Sequence, residues 1–221
     1  MRINKLDGMI TTFIIVITCI ISIAAFQDQN PLPYSMARPE WFDKFKFNAY
    51  MVWHKRDFHR LISSGFVHGG WWHLAFNMLT LYFFGYLVED TFKIIFGTMM
   101  GEVLYAVFYL LAIVVASLSD LFKYREQPYY NAIGASGAVS AIIFAAILFM
   151  PRLGIGLFFI PVHIPGYVFG PLYLLYCHYM AKKNLDNIGH SAHFWGAVFG
   201  FVFPIIIYPP IIQHFINQFV H

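Results

Sequence analysis

Charge is what this chain has least of: Asp, Glu, Lys and Arg make up 11% of its 221 residues, less than half the roughly 25% of a soluble globular domain. That deficit excludes an ordinary water-soluble fold. The net charge of +3 is spread over scattered Lys and Arg with no basic block, which excludes a nucleic-acid partner. Cysteine is scarce as well. Cys19 and Cys177 both lie in apolar runs and read as small buried hydrophobes, not as a disulfide framework. No internal repeat or low-complexity tract is present, which argues against the repeat symmetry of many transporters. His-Glu-x-x-His is absent too, so nothing supports zinc proteolysis.

What is abundant is apolar: 59% of residues are hydrophobic and 20% aromatic. A hydrocarbon core about 30 Å thick takes roughly 20 apolar helical residues per crossing, which leaves room for about six spans and no separate soluble domain. The apolar runs predict spans at about 9–26, 71–88, 99–118, 132–149, 166–181 and 193–212. The fold class is therefore all-α: a polytopic protein of the lipid bilayer with one membrane domain over 1–221. The first run follows Arg2 and Lys5 but is longer than the roughly 7–15 residues of a signal-peptide core, so it reads as a retained span.

The long connection before the second span carries Trp41, Phe42, Trp53, Phe58, Trp71 and Trp72 among Lys44, Lys46, Lys55, Arg56 and Arg60. Such a mixture suits an element lying in the headgroup zone. Between Pro151 and Pro171, Gly154, Gly156, Pro161, Pro165, Gly166 and Gly170 interrupt any helix, so 151–165 reads as a hairpin or interfacial loop. The fifth span that follows is short and more mobile than its neighbours. Lys and Arg do not set orientation. With the N-terminus inside, four lie inside and ten outside, but removing the six of the long first loop leaves four against four.

Polar residues within spans are costly and mark either function or a structural contact. Gly134-Ala135-Ser136-Gly137 heads the fourth span, its glycines leaving the serine hydroxyl open to close approach. Alone it reads as a small-residue packing face. Ser191-Ala192-His193-Phe194-Trp195-Gly196 opens the sixth span, where Gly196 and Gly200 form a groove for a neighbouring helix. If that neighbour is the fourth span at Gly137, His193 meets Ser136 as a general base; alone, it is a capping or interfacial histidine. His73 and Asn77 share a face of the second span, suited either to holding an oxyanion or to a structural hydrogen bond. Glu89, at the far end of that span, is expected to brace loops.

Together, these three groups resemble the rhomboid family of intramembrane serine proteases. The resemblance covers roughly 55–205 and implies Ser136 as nucleophile and His193 as its base in a dyad without a carboxylate. It also implies oxyanion donors at His73, Asn77 and the Ser136 amide. His68, Gly134, Gly137, His190 and Gly196 are the expected supporting or cavity-lining residues, and Arg60 matches the family's Trp-Arg motif, although His59 precedes it here. Where the family often has a tyrosine packing on the catalytic imidazole, this chain has Ser140, so Phe194, Trp195 or Tyr130 is expected to replace it. The implied reaction is cleavage of transmembrane segments through an acyl-enzyme, without cofactor or metal. Single-pass membrane proteins are the implied substrates, entering by the fifth span and the 182–191 loop. The implied location is the bacterial cytoplasmic membrane, with the N-terminus in the cytoplasm. Two other functions fit parts of the pattern: a catalytically silent rhomboid-like binder of membrane proteins, and a haem protein with His73 and His193 as axial ligands.

Overall fold

The computed structural model describes residues 8–26, 39–157, 160–183, 186 and 188–220. Arg2 and Lys5 lie outside the described residues, as do the side chains of Trp41 and Phe42. The chain is mostly helical. In order come α1 (Met9–Ala25), α2 (Pro39–Phe45), β1 (Phe47–Asn48), α3 (Ala49–Lys55) and α4 (Arg60–Ser63). Next are α5 (Trp71–Thr80), α6 (Tyr86–Phe96), α7 (Thr98–Tyr124), β2 (Asn131–Ala132) and α8 (Ser136–Phe149). The hairpin β3 (Gly154–Leu157) and β4 (Ile160–Pro165) precedes α9 (Gly166–Lys183), α10 (His190–Ile207) and α11 (Ile211–Val220). Among the described residues, α7 and α10 are long and apolar enough to cross a membrane, while α1 and α8 are apolar but shorter.

Helix α8 is the centre of the molecule because it is apolar all round. Twelve of its fourteen residues are buried. Its small residues let α7 and α10 approach closely: a Cβ on Gly137 would strike the Cβ of Ala116, and one on Gly196 or Gly200 would strike the carbonyl oxygen of Gly137 or Ala141. The groove expected at Gly196 and Gly200 therefore holds α8. At its lower end, His214 Nε2 and Gln218 Nε2 of α11 lie 3.1 and 3.0 Å from the Phe149 carbonyl oxygen, satisfying an acceptor that a helix end leaves open.

Several boundaries differ from the sequence reading. A π-helical turn (Leu81–Gly85) joins α5 to α6, so the second helix continues past 88 to Phe96. The last predicted span divides: α10 starts at His190 and stops at Ile207, before Pro209 and Pro210, and α11 is a separate helix. The fourth helix starts at Ser136, not 132, because Gly134 has a φ of +104° and Asn131–Ala132 pairs with Phe47–Asn48. Of the two readings of 151–165, hairpin or interfacial loop, the antiparallel pairing of β3 with β4 fits the hairpin.

The first loop is a folded element. Asn48 accepts from Met51 N at 2.8 Å to cap α3 and donates to Pro128 O and Tyr130 O, tying the loop to the segment before α8. The buried Arg60 donates to the carbonyls of Asp43 and Lys46 and to Asp57. His59 bonds the Lys44 carbonyl at 3.1 Å. Glu89 braces a helix: its carboxylate accepts from Ile10 N at 3.1 Å and Thr11 N at 2.8 Å. It thus caps the positive end of α1.

Candidate functional site

Ser136 is the first residue of α8 and His193 lies in the first turn of α10. The two helices are pressed together at Gly137 and Gly196, and that approach brings His193 Nε2 to 2.7 Å from Ser136 Oγ. Both residues are half-buried. The hydroxyl is held toward an imidazole nitrogen, as nucleophilic catalysis needs.

The oxyanion candidates stand around the same helix start. Val139 N donates to Ala135 O in the first rung of α8, so the amides of Ser136, Gly137 and Ala138 precede it, and a helix N-terminus presents such groups to an anion. His73 lies against Gly134: any Cβ there would collide with its ring. Gly134 is therefore required twice, for its positive φ and for the imidazole beside it. Asn77 is buried and uses Nδ2 on the His73 carbonyl at 2.9 Å, within its own helix.

His68 sits beneath the loop that carries Ser136. It is fully buried, so it positions the site and does not line an open cavity. Ala135 N donates to its Nε2 at 3.3 Å, which leaves Nδ1 protonated to donate to Ser22 Oγ at 3.0 Å; that hydroxyl in turn donates to the Phe66 carbonyl. Burial, with His73 nearby, pushes its pKa down to about 3, so the ring is neutral. His190 is also buried, and its Nε2 lies 3.1 Å from both oxygens of Asp186. That bond holds the Asp186 carboxyl below its ordinary range.

The expected replacements for the missing tyrosine are placed elsewhere. Tyr130 stacks on Tyr124 and donates to Asp120, while Phe194 faces His178 and Trp195. Ser140 instead bonds the hydroxyl of Tyr173, from α9, at 2.9 Å, and the ring next to His193 is His190, with centroids 6.0 Å apart. Sequence reasoning missed Tyr173, the Asp186–His190 pair and the nearness of Cys177. No spacing signal connects these residues to Ser136, because they come from different helices. A haem reading of His193 meets an obstacle, since its Nε2 already holds Ser136.

Comparison with known proteins gives two findings. The family model described as "Rhomboid domain" matches residues 55–210. A relative from Arabidopsis thaliana, "RHOMBOID-like protein 12, mitochondrial", is 32% identical over 147 residues, which is 63% of this chain and 43% of the relative. The chain thus spans less than half the length of that relative.

Proposed function

The chain belongs to the rhomboid family, and from that premise we propose that it is an intramembrane serine endopeptidase working with a Ser136–His193 dyad. The observation that supports this reading most is the 2.7 Å separation of Ser136 Oγ and His193 Nε2. His193 takes the Ser136 proton as the oxygen attacks a substrate carbonyl, then delivers that proton to the leaving amine. The acyl-enzyme is released by water through the reverse exchange. Charge developing on the carbonyl oxygen is met by the Ser136 amide, at the positive end of α8, with His73 and Asn77 as further donors. Loss of one such donor costs about 10²–10³ in kcat.

Family membership supports an integral membrane protein. We read α1, α5 with α6, α7, α8, α9 and α10 as its six spans, forming one domain. Its substrates are single-pass membrane proteins, because a helix must unwind in the membrane before its backbone can be attacked. Entry is by α9 and the loop after it, of which residues 184, 185 and 187 lie outside the described set. On family resemblance alone, we place the chain in the bacterial cytoplasmic membrane with its N-terminus inside and its site opening outward.

The deciding measurement is cleavage of a generic transmembrane substrate by the full chain in proteoliposomes. Wild type cleaves, and Ser136→Ala and His193→Ala each lose activity by at least about 10³-fold, as removal of nucleophile or base does elsewhere. Cleavage that survives both changes overturns the dyad. A folded wild-type chain that cuts no substrate and takes no fluorophosphonate label at Ser136 favours a silent binder.

A further inference from the structure

Beside Ser136, and sharing His193 with the dyad, three metal-binding side chains converge. Cys177 of α9 and His190 and His193 of α10 each offer one ligand atom, and these atoms all lie within 4.8 Å of one another. Cys177 and His190 are 0% and 4% exposed. Because His190 Nε2 faces the Asp186 carboxylate, the neutral ring carries its proton on that nitrogen and its lone pair on Nδ1. Nδ1 is buried and has no hydrogen-bond partner among the described residues.

A buried acceptor left unpaired is costly, so this lone pair calls for a physical account. A carboxylate on one imidazole nitrogen and a bare lone pair on the other is the arrangement found around metal-binding histidines, where the carboxylate fixes the tautomer and raises the ligand's basicity. One thiol and two imidazoles form a donor set suited to zinc. With Zn–S near 2.3 Å and Zn–N near 2.0–2.1 Å, tetrahedral donors stand about 3.3–3.6 Å apart. The cluster therefore closes around an ion with a movement of about 1 Å; α9 is otherwise at least partly exposed, its buried residues being Gly166, Gly170 and Cys177.

We propose that Cys177, His190 and His193 form a zinc-class metal site whose occupancy switches the dyad off. The site stands on this geometry alone; the switching rests on the proposed protease reading. Cys177 releases its proton to solvent and binds as thiolate, His190 binds through Nδ1, and water or a substrate group fills the fourth position. Ligation of His193 through Nδ1 leaves Nε2 protonated, able to donate to Ser136 but not to accept its proton. Ligation through Nε2 displaces Ser136 altogether. In either geometry the base is lost, and a chelator restores it.

The test uses the full chain, stripped of metal, in detergent. Ser136→Ala protein titrated with Co²⁺ should develop one equivalent of a thiolate-to-cobalt absorption band, which Zn²⁺ bleaches. The band should be absent when Cys177→Ser is added to that background. In the cleavage assay, Zn²⁺ should inhibit wild type reversibly. Cys177→Ser should keep its metal-free turnover and melting temperature while tolerating at least about tenfold more zinc, and Asp186→Asn should weaken metal affinity about 10–100-fold. Absence of the cobalt band, or equal zinc potency in wild type and Cys177→Ser, overturns the site. A chain that binds cobalt through Cys177 but cleaves nothing leaves the site standing and overturns the protease. One that cleaves and ignores zinc does the reverse.

Discussion

His68 illustrates how one side chain can hold a site together without touching a substrate. Its two ring nitrogens join Ser22 of the first helix to the Ala135 amide beside Ser136, and this works only while Nε2 keeps its lone pair. A pH dependence follows. In the unfolded chain this histidine binds a proton below about 6.5, its ordinary value, whereas in the folded protein it resists until about 3. The folded state therefore loses stability as pH falls below about 6.5, at about 1.4 kcal/mol per unit, and the loss levels off below about 3. Between pH 7.5 and 5 the contribution of His68 amounts to about 2 kcal/mol. Thermal melts of wild type and His68→Gln should show the acid-side decline reduced in the variant. Equal slopes would remove His68 as the cause.

At the scale of elements, the contact of α8 with α10 matters most, because it has no side chain between the backbones at Gly196. Gly196→Ala places a methyl group against the Gly137 carbonyl oxygen, one residue from Ser136, and the helices must separate. A misplacement of about 1 Å in a reacting pair costs about 10²-fold in rate, so this variant should fold and bind substrate yet lose about that much turnover. Wild-type kcat would show that the glycine contact does not set the dyad. This contact was legible in the sequence, since a glycine pair at i, i+4 marks a groove wherever it occurs and His193 shares its face. Helix ends were less legible. Apolar composition locates a span but not its stop: the second helix runs past its apolar run through Glu89, Asp90 and Lys93 to Phe96. Nor does composition reveal that Tyr173 would reach Ser140, or that Cys177, which reads as a buried hydrophobe, would lie beside two imidazoles. Those contacts depend on how α9 is rotated and how far it slides along α8 and α10, and its apolar pattern fixes neither.

At the scale of the whole molecule, what encloses Ser136 decides whether water can reach it. Helix α8 has fourteen residues and is about 21 Å long, shorter than a hydrocarbon core of about 30 Å. α11 side chains bond its lower end at Phe149, while the folded first loop and the 125–135 segment stand over its upper end through Asn48 and His68. Exposed Phe13, Ile20, Phe83, Val103, Leu175 and Ile206 lie on the surrounding helices, where lipid suits them and water does not. On the proposed reading, Ser136 at the head of this short, enclosed helix is a nucleophile set within the membrane, and hydrolysis needs water there. Ser136 and His193 are in fact half-buried, whereas Ile142, further along α8, is wholly buried. In a background with Cys19 and Cys177 replaced, Ser136→Cys in nanodiscs should react with a charged, membrane-impermeant thiol reagent. Its rate should exceed that of Ile142→Cys by at least about tenfold, because reaction follows exposure and thiolate character. If both positions are equally inert to the charged reagent while Ser136→Cys reacts with an apolar one, the site is open to lipid and closed to water, and serine-dependent hydrolysis at that depth fails.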